Sequence, residues 1–252
     1  MFKKSFVLLL LLSFFVLGNS NLVLAQSGIK AFGIQYKSIL PFGLVNTDGQ
    51  TVVDNENNTR LEIKTSRGYS IGAILRFGLS KRWSFETGIN YVRRNYDFYL
   101  SGEGFQDSEA SIRFSGYEIP ATAMVFVKLG DKMYMNTSGG LTFDLFPTGG
   151  VSSYDRDTIE YGMLERNWII LALNVNIGFE YRTKESGYFY LGASYHQPFS
   201  DMAHVFVSYR SPGSNTFTPL IQPPPGVSGT YFALDLRYFF NPGMKGNTDL
   251  GD

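Results

Sequence analysis

Apolar residues recur at every second position over eight separate stretches of the chain: 29–40, 69–79, 83–94, 115–129, 134–145, 167–181, 188–196 and 230–240. Alternation of this period predicts β-strands with one apolar and one polar face. The clearest stretch sets Ile169, Leu171, Leu173, Val175, Ile177, Phe179 and Tyr181 against Ala172, Asn174, Asn176, Gly178 and Glu180. The last sets Phe232, Leu234, Leu236, Tyr238 and Phe240 against Tyr231, Ala233, Asp235 and Arg237. Connections alternate in length. Those at 80–82, 130–133 and 182–187 are tight, whereas those after the first, third, fifth and seventh stretches are long and rich in Asn, Asp, Ser, Gly and Pro.

Alternation alone does not say which face is enclosed. A soluble eight-strand barrel puts the apolar row inside, and an outer-membrane barrel puts it outside. Here the polar rows carry glycine, alanine and scattered charges of both signs, while aromatics gather near the strand ends of the apolar rows. Interfacial aromatic girdles occupy such positions, and a charge facing lipid at the midplane costs about 2–4 kcal/mol. The expected fold class is therefore all-β: an eight-stranded antiparallel up-and-down transmembrane β-barrel, monomeric, with short periplasmic turns and long external loops.

The first residues agree. Lys3 and Lys4 precede a run from Phe6 to Leu17 that is apolar except for Ser13, and Val23-Leu24-Ala25 follows. This predicts a secretory signal peptide over 1–25, cleaved before Gln26, then a barrel over 26–240 and a disordered periplasmic tail over 241–252. The 252 residues hold 22 basic and 22 acidic side chains. Loss of Lys3 and Lys4 leaves a slightly acidic chain, which gives no footing for nucleic acid. The cysteine count of 0 excludes a disulfide framework and thiolate chemistry.

Tyr117-Glu118-Ile119-Pro120, followed by an apolar strand to Lys128-Leu129 and a tight turn, forms a recognisable signature. Gly139-Gly140-Leu141, the stretch from Asn174 to Tyr181 and the terminal strand ending at Phe240 accompany it. The chain resembles the outer-membrane β-barrel domain family common in Bacteroidetes-type bacteria, the porin-like group that includes PorT-like proteins. That resemblance implies an eight-strand barrel in the outer membrane of a Gram-negative cell and leaves the activity open. Within the signature, Pro120 cannot donate to a strand ladder, so a bulge near the external rim is expected there, its side chain facing inward with Glu118.

Six charges on the polar faces, Arg76, Glu86, Lys128, Glu180, Asp235 and Arg237, fall in the periplasmic half of the expected barrel. Enclosed opposite charges should pair, giving a lumen closed by a charged network; a proton or ion path is the sharper alternative. Of the two histidines, His196 lies near Ser194, Ser200 and Asp201 at the expected outer rim, a weak candidate centre for a lipid-modifying enzyme. No other catalytic, metal or cofactor site is expected. The segment from His204 to Tyr209 predicts a hairpin arm, and together with Gly102-Glu103-Gly104-Phe105 and Pro223-Pro224-Pro225-Gly226 it offers loop surface for a protein partner. The expected function is a structural or interaction role among outer-membrane lipid, as an accessory of secretion or envelope assembly. A lipid-modifying enzyme and a narrow transport channel stand as alternatives.

Overall fold

The computed structural model describes residues 29–40, 50–54, 58–80, 82–103, 106–147, 149–155, 158–183, 186–210 and 216–240. The expected leader and tail, and Lys81, Gly104 and Phe105, lie outside them. The described residues form β1 (Ile29–Leu40), β2 (Gln50–Asp54), β3 (Thr59–Gly78), β4 (Trp83–Gly102), β5 (Ser108–Lys128), β6 (Met133–Leu145) and β7 (Gly150–Asp155). They continue with β8 (Ile159–Glu165), β9 (Ile169–Arg182), β10 (Tyr188–Pro198), β11 (Ala203–Arg210), β12 (Phe217–Pro219), β13 (Gly226–Val227) and β14 (Tyr231–Phe240).

All of the pairings are antiparallel. They run β3–β4–β5–β6–β9–β10–β14, and β1 pairs with both β14 and β3, so the ladder returns on itself. Tight turns make neighbours of consecutive strands. At the first, the amides of Leu79 and Ser80 both reach the Trp83 carbonyl at 3.0 Å. At the third, Gly187 adopts a φ of 82°, open to glycine without steric cost, and its carbonyl accepts the Thr183 amide at 3.0 Å.

Burial along these strands reverses the rule for a water-soluble domain. Ile71, Ile89, Ile177, Leu191 and Leu236 are each more than half exposed, while Gln35, Ser70, Arg76, Glu86, Asn90, Glu180 and Asp235 are buried. The outward row from Tyr69 to Phe77 runs about 27 Å at ~3.4 Å per residue. A tilt of ~40° reduces this to about 20 Å along the axis, near the ~25 Å apolar band of outer-membrane barrels. Aromatic rows bound the belt. Tyr69, Tyr91 and Tyr117 sit side by side at the end of the long connections, with ring centroids 6.3 and 5.9 Å apart. Phe77 with Phe85, Phe189 with Tyr238, and Phe32 with Phe240 line the end of the tight turns.

β3, β4 and β5 continue past the tyrosine row, and there both faces change character. On β4 the inward row passes from Ser84, Glu86 and Asn90 to Val92, Tyr96, Phe98 and Leu100, interrupted by Arg94. Its outward row passes from Trp83, Phe85, Ile89 and Tyr91 to Arg93, Asn95 and Asp97. β5 does the same across Ser115, with Ile112 and Phe114 turned inward and Glu109, Ser111 and Arg113 turned outward. On β3 a one-residue register shift between Ser66 and Tyr69 swaps inward parity, so Leu61 and Ile63 lie on the same side as Ser70 and Arg76.

These extensions and β2 form one wall of an extra module, and β7, β8, β11, β12 and β13 form a second sheet. Leu61, Phe98, Phe114, Phe146, Tyr161, Met163, Val205 and Val207 belong to the shared apolar core. Burial pushes the Tyr161 phenol up to about 12, and it donates to Ser108 Oγ at 2.7 Å.

Three expectations change here. Much of the long connections between the eight predicted strands is itself β-structure: β3, β4 and β5 are up to ten residues longer than their periodicity predicts, and the rest supplies the second sheet. The expected arm at His204–Tyr209 is β11, whose main partner is β8. Pro120 also sits at no bulge. Its side chain is buried and faces inward, but the pairing with β6 is unbroken, and that with β4 skips Gly88 and Ile89 and resumes in the same register. The missing donor costs pairs on one side only, and the strand absorbs this without an inserted residue.

Replacing Ile89 by Lys, at the middle of the belt, should destabilise the protein by about 2–4 kcal/mol. Asp97→Lys, outside the belt on the same face, should stay within about 0.5 kcal/mol. Urea unfolding in lipid vesicles measures both.

Candidate functional site

The inward faces bring charged side chains into two buried clusters. Nearer the tight turns, cations and anions alternate in a chain. Arg182 Nε donates to Glu180 Oε1 at 2.6 Å, and Arg76 Nη1 to Glu180 Oε2 at 2.7 Å. Arg76 Nε then donates to Glu86 Oε1 at 2.8 Å, Arg237 Nη1 to Glu86 Oε2 at 2.9 Å, and Arg237 Nη2 to Asp235 Oδ2 at 3.0 Å. Asp235 accepts further bonds from Asn176 Nδ2 at 2.8 Å and Ser194 Oγ at 2.9 Å. Rings pack on the guanidinium groups. Phe239 lies 4.0 Å from Arg76, Tyr134 lies 4.0 Å from Arg182, and Tyr190 lies 4.6 Å from Arg237. Tyr190 can lie across this floor because Gly178 and Gly192 have no side chain; a Cβ on either would collide with its phenol oxygen.

The second cluster lies toward the module. Arg94 Nη2 donates to Glu118 Oε1 at 2.8 Å and to Asp144 Oδ2 at 3.3 Å. The Tyr231 phenol donates to Glu118 at 2.9 Å, and the His196 ring stacks on Tyr231 with centroids 4.8 Å apart. His196 Nε2 stands 2.9 Å from Asp144 Oδ2 and 3.7 Å from Glu118 Oε1. Facing carboxylates on that side, Nε2 carries the proton and donates. Phe146, from the module core, lies 5.8 Å from the Arg94 guanidinium.

Of the six charges predicted to meet, the structure joins five: Arg76, Glu86, Glu180, Asp235 and Arg237. Lys128 is not among them. It shares the inward parity of Thr122 and Met124 but falls on the last residue of β5, where the strand ends and the side chain is exposed. His196 is likewise displaced from its predicted place. Because β10 extends to Pro198 beneath the module, His196 is 1% exposed rather than at an open rim. Its neighbours also differ from the predicted set. Ser194 bonds Asp235, and Asp201 lies 3.4 Å from Arg166 on the exposed surface. In the signature, Tyr117 and Ile119 face outward and Glu118 and Pro120 face inward. The second cluster's remaining members, Arg94, Asp144 and Tyr231, were missed by sequence reasoning. Each continues the inward parity of a predicted strand at its outer end, which was the signal available.

Glu118, Asp144 and His196 offer ligand-type atoms within 4.8 Å of one another. Arg94 already supplies both carboxylates with a cation. Asp144 Oδ1, Arg94 Nε and His196 Nδ1 are buried there without a hydrogen-bond partner.

An antiparallel sheet that returns on itself, apolar outside and ionic inside, defines a β-barrel protein of the outer-membrane class. Residues 25–204 match the model of the outer membrane protein beta-barrel domain, and the chain belongs to that family. It is accordingly a protein of the outer membrane. Among solved structures, the outer membrane protein OprG from Pseudomonas aeruginosa is similar with a TM-score of 0.49 at 11% identity, over 84% of this chain and 97% of that one. No curated protein matches the chain.

Removing one partner from a buried ion-pair chain leaves charge uncompensated, at a cost of about 3–5 kcal/mol. Glu86→Ala, which deprives Arg76 and Arg237 together, should lower the unfolding free energy by about 3 kcal/mol, since Glu180 and Asp235 retain one bond to each. Glu86→Gln should cost less. Urea midpoints in vesicles measure the difference.

Proposed function

We propose that this protein is a closed, monomeric eight-strand transmembrane barrel that holds a folded β-module at the cell surface, with a structural or interaction role. The tight turns would face the periplasm and the module the exterior. The observation that carries this reading is the filling of the interior. Two layers of paired charge occupy it, Phe126, Phe239, Tyr134 and Tyr188 pack at the turn end, and the module core covers the other. A channel needs a continuous wet path, and rings with interlocked guanidinium groups leave little room for one.

Function then falls to the module. At its tip, a cleft of about 530 Å³ lies between Arg60, Glu62, Tyr99, Asp107, Glu109 and Asp155. Mixed charge around an exposed aromatic side chain suits recognition of a protein partner. An accessory role in secretion or envelope assembly would use the barrel as an anchor and this surface as the contact.

Planar-bilayer recording tests the closed interior. The purified protein in neutral lipid should give no steady single-channel openings, and Arg237→Ala with Glu86→Ala, which thins the inner cluster, should raise the frequency of brief openings. Stable conductance with size-dependent block in the parent protein would overturn the reading and favour the transport channel.

A further inference from the structure

Three arginines lie within two outward positions of the tyrosine row on one sector of the sheet. Arg93 on β4 stands opposite Tyr69 of β3 and Ser115 of β5, and the next outward residue, Asn95, stands opposite Arg113. Arg67 lies in the β3 bulge, and its carbonyl accepts a bond from the Asn95 side chain. Diagonal neighbours on paired strands stand roughly 7–8 Å apart, so Arg93 and Arg113 share one patch. Arg67 and Arg113 are exposed and Arg93 is half-buried. Among the described residues, none of the three makes an ion pair.

Carboxylates begin only one step further out. Asp97 accepts the Ser111 hydroxyl at 2.6 Å, and Glu62 lies 3.1 Å from Lys64. Below the arginines, Tyr91 shares a 2.8 Å bond with Ser115. The sequence of layers along the outside of β3–β5 is thus aliphatic belt, tyrosine row, basic row, mixed charge. Elsewhere beside the belt, Arg166 has its own partner in Asp201 at 3.4 Å.

Tyrosine rows mark the level at which acyl chains give way to headgroups, so the arginines stand where lipid phosphates lie. A guanidinium binds phosphate through two parallel hydrogen bonds, and several such groups together recruit anionic lipid. We propose that Arg67, Arg93 and Arg113 form a docking strip for the phosphate groups of lipids in the leaflet next to the module. This rests on the proposed placement of the aromatic rows at the membrane interfaces, and it is independent of whether the interior conducts.

The test uses the full chain, stripped of lipid and titrated in neutral detergent with bis-phosphorylated lipid A or with the same lipid dephosphorylated. Native mass spectrometry reads occupancy, and heat-shifted gel mobility confirms folding. The parent protein should prefer the phosphorylated lipid. Combined Arg67→Gln, Arg93→Gln and Arg113→Gln should weaken that binding by about fivefold per arginine, about a hundredfold in all. Lys64→Gln, further out on the same face, should leave it unchanged. Equal affinity for the two lipids, a folded triple variant that binds like the parent, or a loss as large in the Lys64→Gln variant would each overturn the proposal. None of these readouts depends on conductance, so failure here is separable from failure of the closed-barrel reading.

Discussion

Hydrocarbon offers nothing to a peptide amide. A chain that crosses it must satisfy its backbone donors and acceptors from within, and strands can do so only if the sheet has no open edge. The double pairing of β1, to β14 and to β3, meets that demand. The side-chain arrangement follows from it. The inward faces of a small barrel enclose a narrow space, so inward side chains must be small or must fill the space with mutually compensating charge. Glycines make room, as at Gly178 and Gly192 beneath Tyr190, and the guanidinium–carboxylate chains fill what remains.

The same constraint explains why the charges come in linked series. A lone buried arginine would be costly to remove from water, whereas Arg76 and Arg237 share Glu86 and each has a second acceptor. Stacking on Phe239 and Tyr190 adds a face-on contact to each guanidinium. The clusters bridge strands far apart in sequence, tying β3, β4, β9 and β14 across the enclosed space as well as around its wall.

Where the strands leave the belt, the solvent changes and the sequence changes with it. β4 shows the transition within one element: Tyr91 is the last apolar outward residue before Arg93, and Val92 is the first apolar inward one. Period-two reading found β1, β3, β4, β5, β6, β9, β10 and β14 within the belt because each has one apolar row there. It lost β3, β4 and β5 beyond the belt because the apolar row switches sides there, on β3 through a bulge that breaks parity. It lost β7 and β12 because short strands among Asn, Asp, Ser and Gly have loop-like composition, and β8 because Ile159, Tyr161 and Met163 alternate over only seven residues. Lys128 and His196 were misplaced for a related reason. Parity gives a side chain's face but not its distance from the strand's end, and distance decides whether a polar group is buried or wet. Arg94 and Asp144 were legible in principle, each lying on the inward row at an outer strand end.

The central claim is that one continuous strand has lipid on its outer face below Arg93 and water above it. Nitroxide labels placed singly at Phe85, Thr87, Ile89, Tyr91, Asn95, Asp97 and Tyr99 of β4, in reconstituted vesicles, report which medium each position meets. Collision with oxygen should dominate from Phe85 to Tyr91 and collision with a water-soluble nickel chelate from Asn95 to Tyr99, the switch falling within two residues of Arg93. Chelate-dominated collision at Ile89, or oxygen-dominated collision throughout, would contradict the account.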